Sequence, residues 1–89
     1  MATRITISRD KRGHVQIHLN EAGRDALVRA LQMLSREDDH IHLAPEEFDG
    51  EVPTREVSYQ EGDEVMAWGK ILFRPDDWDA RHFPHVLTS

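Results

Sequence analysis

Two short segments near the start of the chain alternate polar and apolar residues, which is the period of a half-buried strand. They cover residues 3–8 and 14–19, and a polar loop that ends in glycine separates them. Two adjacent strands joined by a short loop pair antiparallel, so the pattern predicts a β-hairpin. The side chains expected to face inward are Ile5, Ile7, Val15, Ile17 and Leu19.

A helical period follows the hairpin. Asn20 is a good N-cap residue, because its side chain can accept a hydrogen bond from an early helical N–H. Gly23 weakens the first turn by about 1 kcal/mol relative to alanine. The sequence predicts a helix over residues 21–35. Its apolar face is expected to consist of Ala26, Leu27, Ala30, Leu31 and Leu34.

Three further strands are predicted after the helix, over residues 40–44, 55–59 and 64–74. In the first of them the alternation places Ile41 and Leu43 inward. Residues 45–54 contain two prolines, a glycine and four acids, and this composition predicts a surface loop.

The element order is therefore β-β-α-β-β-β, which predicts a single α+β domain over residues 1–74. One amphipathic helix covers one apolar sheet face, so we expect it to pack on a mainly antiparallel sheet. A small open sheet leaves free edges, and a homodimer through an edge strand is compatible with this architecture. Residues 75–89 form a tail, whose structure the pattern does not predict; we expect it to pack on the domain or on a partner.

Composition excludes several classes of site. The 89 residues include no cysteine, so disulfides, thiolate metal sites and cysteine nucleophiles are absent. No hydrophobic leader is visible, and the longest apolar run, residues 65–68, is far too short to span a membrane. The chain is therefore expected to be cytoplasmic, with no membrane partner.

Charge is distributed unevenly along the chain. The formal net charge of −6 argues against a nucleic-acid partner. Residues 1–36 carry a balance of +4, residues 37–64 carry −10, and residues 65–89 are neutral. The acidic run is either a solvated face or a surface that attracts a basic protein. Fields of one sign raise association rates by about 10–10³ at low salt.

Two aromatic residues add apolar contact to the acidic run. Phe48 lies between two acidic residues, and either anchors a basic partner or folds back as a local plug. Trp68 belongs to an apolar row that is covered either by aromatic residues of the tail or by a partner. The candidate partner-binding residues are Asp38, Asp39, Glu46, Glu47, Phe48, Asp49, Glu51 and Trp68.

Histidines offer a second interpretation. His40 and His42 project from the same face of a predicted strand, a spacing that divalent metals use, and His82 and His85 in the tail could add ligands. The alternative is that His40 and His42 are polar residues on an open sheet face. Imidazoles gain charge in mild acid, so binding through the acidic surface is expected to weaken below about pH 6.

Catalytic motifs are missing from the chain. Asp39 and His42 could form an acid–base pair, but an acidic chain contains many accidental pairs of this kind. The sequence holds no Gly-x-Ser-x-Gly, no phosphate-binding glycine loop and no His-Glu-x-x-His. It therefore predicts a protein that is not an enzyme and needs no cofactor.

One combination of elements is similar to a known family. The amphipathic helix, the run Asp38-Asp39-His40-Ile41-His42-Leu43, a loop with Glu51-Val52 and a further strand pair resemble immunity protein family 32 of bacterial polymorphic toxin systems. The resemblance covers roughly residues 20–74, and His40, His42 and Leu43 carry its most specific part.

The resemblance implies a small cytoplasmic α+β protein that neutralises a cognate toxin, often a nuclease. The expected function is therefore stoichiometric masking of a basic toxin domain through the acidic surface. Two alternatives remain: a His-rich module that binds a divalent metal, and a small regulatory subunit that docks on a larger protein through its open sheet face.

Overall fold

The computed structural model describes residues 2–88. Met1, which begins the predicted domain over residues 1–74, and Ser89, which ends the predicted tail over residues 75–89, lie outside the described residues. The structure confirms an α+β architecture, with two helices and two three-stranded sheets. The strands are β1 (Ile5–Arg9), β2 (Val15–Leu19), β3 (His40–Pro45), β4 (Val52–Thr54), β5 (Glu64–Val65) and β6 (Gly69–Leu72). The helices are α1 (Glu21–Gln32) and α2 (Asp76–His82), and 3₁₀ turns span Glu46–Phe48 and Pro84–Leu87.

The strands form two separate sheets. Sheet A has the order β2-β1-β5, and both of its pairings are antiparallel. Sheet B has the order β4-β3-β6, in which β3 runs parallel to β4 and antiparallel to β6. The predicted order with one helix on one mainly antiparallel sheet is therefore not matched.

The start of α1 is tied to β1. The side-chain oxygen of Asn20 accepts hydrogen bonds from the N–H of Gly23 at 2.7 Å and of Arg4 at 3.0 Å. A Cβ on Gly23 would overlap the carbonyl oxygen of Arg4. The glycine therefore lets the helix touch the strand, and this close approach explains a residue that weakens the helix itself.

The core lies between α1 and the two sheets. Its central cluster of buried residues comes from four different elements: Ile5, Ala30, Ile41 and Val52. Five half-buried side chains pack around them: Ile7, Leu27, Leu34, Leu43 and Ile71. Of the predicted helix face, Ala30 is buried and Ala26 and Leu27 are half-buried, whereas Leu31 is exposed. Leu34 packs against the core from beyond the end of α1.

The predicted strand over residues 55–59 is wrong. That segment is irregular, and Val57 within it is exposed. A strand forms instead inside the predicted loop, as β4, because Val52 and Thr54 both point into the protein and β3 supplies a parallel partner. Pro53 is tolerated there since β4 is an edge strand.

The predicted strand over residues 64–74 is broken into two. Its first part, β5, pairs with β1 in sheet A, and its second part, β6, pairs with β3 in sheet B. Between them the chain crosses from one sheet to the other. The Met66 N–H donates to the Ile7 carbonyl at 2.8 Å, and the Ala67 carbonyl accepts from the Thr54 hydroxyl at 2.7 Å.

The inward row predicted for β2 is also wrong. Val15, Ile17 and Leu19 are 62%, 54% and 38% exposed. They share a face with Ile5, but α1 packs over Ile5 towards sheet B and leaves β2 uncovered. The opposite face of sheet A is covered by the irregular segment that follows β4, where the ring of Tyr59 stacks on His18.

The tail contains structure that the sequence pattern does not reveal. Helix α2 is joined to the body by a bidentate ion pair between Arg36 and Asp77, at 3.0 and 2.9 Å. The guanidinium of Arg74 lies 4.3 Å from the ring centroid of Trp78. Within residues 2–88, no helix has the length and apolar character needed to cross a membrane.

Candidate functional site

The outer face of sheet B gathers the polar residues of β3 and β6. His40 lies opposite Leu72, and His42 lies opposite Lys70. Directly opposed residues of an antiparallel pair project to the same side, so all four share one face. The alternate residues, Ile41 among them, point into the core. This outer face is therefore the part of sheet B that is open to a partner.

Each of the two histidines on this face is held by a carboxylate. The carboxylate of Glu51 accepts the backbone N–H of His42 at 2.8 Å, and the same oxygen lies 3.1 Å from Nδ1 of that ring. Asp39 lies 2.9 Å from Nδ1 of His40 and 3.4 Å from the guanidinium of Arg74. The two imidazole rings meet edge to face, with centroids 4.9 Å apart. Both carboxylates thus have fixed positions.

These contacts lower the pKa of both carboxyl groups. The hydrogen bond with His40 holds the pKa of Asp39 below its ordinary value, and the nearby charge of Arg74 adds to the effect. For Glu51 the main cause of the lowered pKa is the hydrogen bond that the backbone of His42 donates. Both groups are therefore ionised at neutral pH and in mild acid.

Acidification below about pH 5 is expected to destabilise the fold progressively. In the folded chain the pKa values of Asp39 and Glu51 lie below their ordinary values. The stability that these two carboxylates contribute is therefore complete at a pH above their ordinary pKa values, and it is lost as the pH falls through their folded pKa values. The double variant Asp39→Asn, Glu51→Gln is expected to lose less stability over this range. Urea unfolding at a series of pH values measures the difference.

A matched control replaces two exposed carboxylates elsewhere, Glu56→Gln and Glu61→Gln. It is expected to lose stability on acidification as the natural protein does. Asp10 and Asp77 also have a lowered pKa, the first mainly through a backbone hydrogen bond from His14 and the second through its hydrogen bond from Arg36. The double variant should therefore reduce the acid sensitivity without abolishing it. If the double variant and the control lost equal stability on acidification, Asp39 and Glu51 would not be a source of the acid sensitivity.

Phe48 and Trp68 meet in the structure. Their ring centroids are 4.8 Å apart, with the ring planes inclined by 57°. They are 58% and 60% exposed, so each ring covers only part of the other. Phe48 ends the 3₁₀ turn after β3, and Trp68 directly precedes β6, so the pairing of β3 with β6 brings them together. The tail aromatics Trp78 and Phe83 contact each other instead, with centroids 5.5 Å apart.

Two shallow cavities flank the histidine row. One, of about 410 Å³, lies beside the aromatic pair; its lining is mainly apolar and includes Leu43, Ala44, Phe48 and Trp68. The other, of about 360 Å³, is bordered by four carboxylates together with Met33, His40 and Ile41. Those four carboxylates are Glu37, Asp38, Asp39 and Glu51. An apolar recess and an acidic recess thus adjoin on one side of the molecule.

The structure places all eight predicted partner-binding residues around β3. Asp38 and Asp39 precede that strand, and Glu46 to Asp49 follow it directly. Glu51 precedes β4, the parallel neighbour of β3, and Trp68 precedes β6, the antiparallel one. Sequence reasoning did not find two basic residues near the site. Lys70 lies opposite His42, and Arg74 lies 3.4 Å from Asp39. Both are brought there by the pairing of β3 with β6, which the sequence pattern does not show.

Arginines of the first third of the chain do not neutralise this surface. Within residues 2–88 their ion pairs are with other carboxylates: Arg9 with Glu64, Arg24 with Asp25 and Arg36 with Asp77. Four of the six candidate carboxylates, Asp38, Glu46, Glu47 and Asp49, make no ion pair inside the described part of the chain. The surface around β3 therefore keeps a net negative charge.

The four histidines of the metal interpretation are not brought together. His82 contacts the ring of Trp78, and His85 lies against Phe83, both in the C-terminal segment. In the part of the chain that the structure describes, no three side chains of the types His, Cys, Asp and Glu are placed to hold a metal ion. His40 and His42 instead pair with the carboxylates described above.

Comparison of the chain with models of protein families, with curated proteins and with solved structures found no match. The resemblance to immunity protein family 32 therefore stays a prediction.

Proposed function

We propose that this chain is a non-enzymatic binding protein that holds a basic protein partner on the outer face of sheet B. One observation carries the proposal: the exposed contact between Phe48 and Trp68, with Glu46, Glu47 and Asp49 on the adjoining turn. This arrangement combines an apolar anchor with charge of one sign at one place.

The aromatic pair supplies the affinity. Aromatic side chains dominate the binding energy of protein interfaces when a partner covers them. Trp68 and Phe48 also offer ring faces to an arginine or lysine of the partner, a contact of about 0.5–2 kcal/mol. The adjacent cavity gives an aliphatic side chain of the partner a place beside the rings.

The carboxylates supply the rate and the selectivity. Asp39 and Glu51 are held in place by their contacts with β3, so they present charge without a further loss of side-chain freedom. The unpaired carboxylates around them extend the negative field into solvent. Charge of this kind speeds encounter with a basic partner and disfavours acidic ones.

The resemblance to immunity protein family 32 suggests a toxin domain as the basic partner. Masking of such a domain requires stoichiometric binding and no chemistry on this chain. The absence of catalytic motifs in the sequence agrees with this mode of action. Purification of the chain together with the product of the neighbouring reading frame tests whether that product is the partner.

Truncation of Trp68 to alanine is expected to weaken binding of a short peptide of Arg, Lys and Leu about tenfold, which is ~1.4 kcal/mol. The physical reason is the loss of the anchor while every charge is retained. Fluorescence anisotropy of the labelled peptide measures the dissociation constant, and circular dichroism checks the fold. The matched control is Tyr59→Ala, which removes an aromatic ring of nearly the same exposure, 58%, from the segment that covers sheet A and should leave the affinity unchanged. Equal losses in both variants, or none in Trp68→Ala, would refute the proposal.

A further inference from the structure

The edge strand β2 has a row of outward-pointing backbone groups. In an antiparallel pair, alternate residues bond across the ladder and the others point away. Two hydrogen bonds at the ends of the hairpin show which residues bond across the ladder: the Asn20 N–H donates to the Arg4 carbonyl, and the Asp10 N–H donates to the His14 carbonyl. The even-numbered residues from His14 to Asn20 therefore face β1. The N–H and C=O groups that face away from β1 therefore belong to Val15, Ile17 and Leu19.

Among the edges of the two sheets, this one carries no protection. Exposed edges are normally blunted by charge, proline or short length. In sheet B, β4 contains Pro53 and β6 contains Lys70; in sheet A, β5 has only two residues. The sequence of β2, Val-Gln-Ile-His-Leu, contains none of these features. Within residues 2–88, no hydrogen bond reaches the outward groups of β2.

We infer that a second copy of this chain pairs with β2 along this edge, in an antiparallel, two-fold symmetric contact centred on Ile17. In that register Ile17 lies opposite the same residue of the second copy, and Val15 lies opposite Leu19. The apolar row reads almost the same in both directions, as an isologous contact requires. The two sheets A then form one continuous sheet.

Helix α1 adds apolar surface on the same side. Arg24 and Leu19 line one small cavity at the turn from β2 into α1, so the flank of α1 that contains Arg24 begins beside the apolar row of β2. Residues four and seven positions after Arg24 share its flank, and these are Val28 and Leu31. Both are exposed. Pairing of two copies brings two β2 rows and two such flanks together, so that each copy covers the apolar surface of the other.

The surface area of the chain is large enough for this contact. A compact monomer of this mass exposes roughly 5,400 Å², whereas this chain exposes 6577 Å². The excess, roughly 1,200 Å², exceeds the ~800 Å² that each partner buries in a standard interface. The radius of gyration is 14.9 Å, against about 12 Å for a compact domain of this length. The acidic surface around β3 belongs to the other sheet and stays free for its own partner.

Sedimentation velocity of the full chain over the micromolar to millimolar range tests this inference. The natural protein is expected to shift from monomer to dimer as the concentration rises. Ile17→Lys is expected to raise the dimer dissociation constant about a hundredfold or more, because an unpaired charge would enter the apolar contact twice. Val28→Lys, a change on the helix surface, should also weaken the dimer without disturbing a strand.

The matched control is Leu72→Lys, which places the same charge at an exposed strand position on sheet B. It is expected to leave the dimer unchanged. A natural protein that stays monomeric over the whole range would overturn the inference and leave the β2 row to a different partner. Dimers that persist in both Ile17→Lys and Val28→Lys would overturn it as well.

Discussion

Truncation of Ile5 to alanine is expected to lower the free energy of unfolding by about 2–5 kcal/mol. The side chain is 0% exposed and packs in the cluster with Ala30, Ile41 and Val52. It therefore connects sheet A, α1 and sheet B at one point. A chain of this length has a total stability of about 4–13 kcal/mol, so the variant loses a large part of it. Chemical unfolding followed by circular dichroism measures the change.

Ile17→Ala provides a matched control, because it is the same substitution on the neighbouring strand of the same sheet. Ile17 is 54% exposed, so its truncation is expected to cost well under 1 kcal/mol in the monomer. The measurement is made at low protein concentration to keep self-association out of the comparison. Equal small losses would contradict the burial of Ile5, and equal large losses would contradict the exposure of Ile17.

Neutralisation of the turn after β3 is expected to slow association with the basic peptide about tenfold or more at low salt. The triple variant is Glu46→Gln, Glu47→Gln, Asp49→Asn. It removes three charges beside the aromatic pair and keeps both rings. Asparagine suits position 49, where the backbone has a positive φ of 56°. Stopped-flow mixing over a range of salt concentrations measures the association rate constant and its salt dependence.

The control for this variant removes equal charge from other surfaces, as Asp25→Asn, Glu56→Gln, Glu61→Gln. Both triple variants have the same net charge, so any difference between them reports the position of the charge. The control is expected to slow association by a much smaller factor. At high salt the two variants should converge, because screening removes the long-range field. Identical rates at low salt would show that net charge alone controls encounter, and would reject steering by this turn.

The local patterns predicted the elements whose partners are close in sequence. The hairpin of β1 and β2 follows from alternation around a short polar loop, and its antiparallel pairing is confirmed. Asn20 caps α1 as expected, through its bond from the Gly23 N–H. Helix α1 nevertheless ends at Gln32, before the predicted end, with Met33 as its C-cap.

Partners that are distant in sequence decided the rest of the fold. Alternation over residues 64–74 is compatible with one long strand, and nothing local shows that β1 takes one end and β3 takes the other. The same limit applies to β2, whose apolar row suits a buried strand. Its exposure depends on where α1 lies, and α1 is positioned by Ile5 and by the close approach of Gly23 to Arg4.

The candidate site shows the same division. The acidic run and its aromatic residue lie close together in sequence, so composition alone suggested them. The contact between Phe48 and Trp68 requires the register of β3 with β6, in which Leu43 lies opposite Gly69. Sequence reasoning could name both rings, but only the topology makes them one surface.

The pairing of β1 with β5 has a consequence during protein synthesis. Arg9 leaves the ribosome long before Glu64, the residue with which it pairs. Contacts over such sequence separations form slowly, because closing the intervening loop costs entropy first. A nascent chain therefore carries an incomplete first sheet until β5 has left the ribosome. A chain cut before β5 should accordingly leave the second edge of β1 unpaired, whereas a chain that includes β5 lets the sheet close.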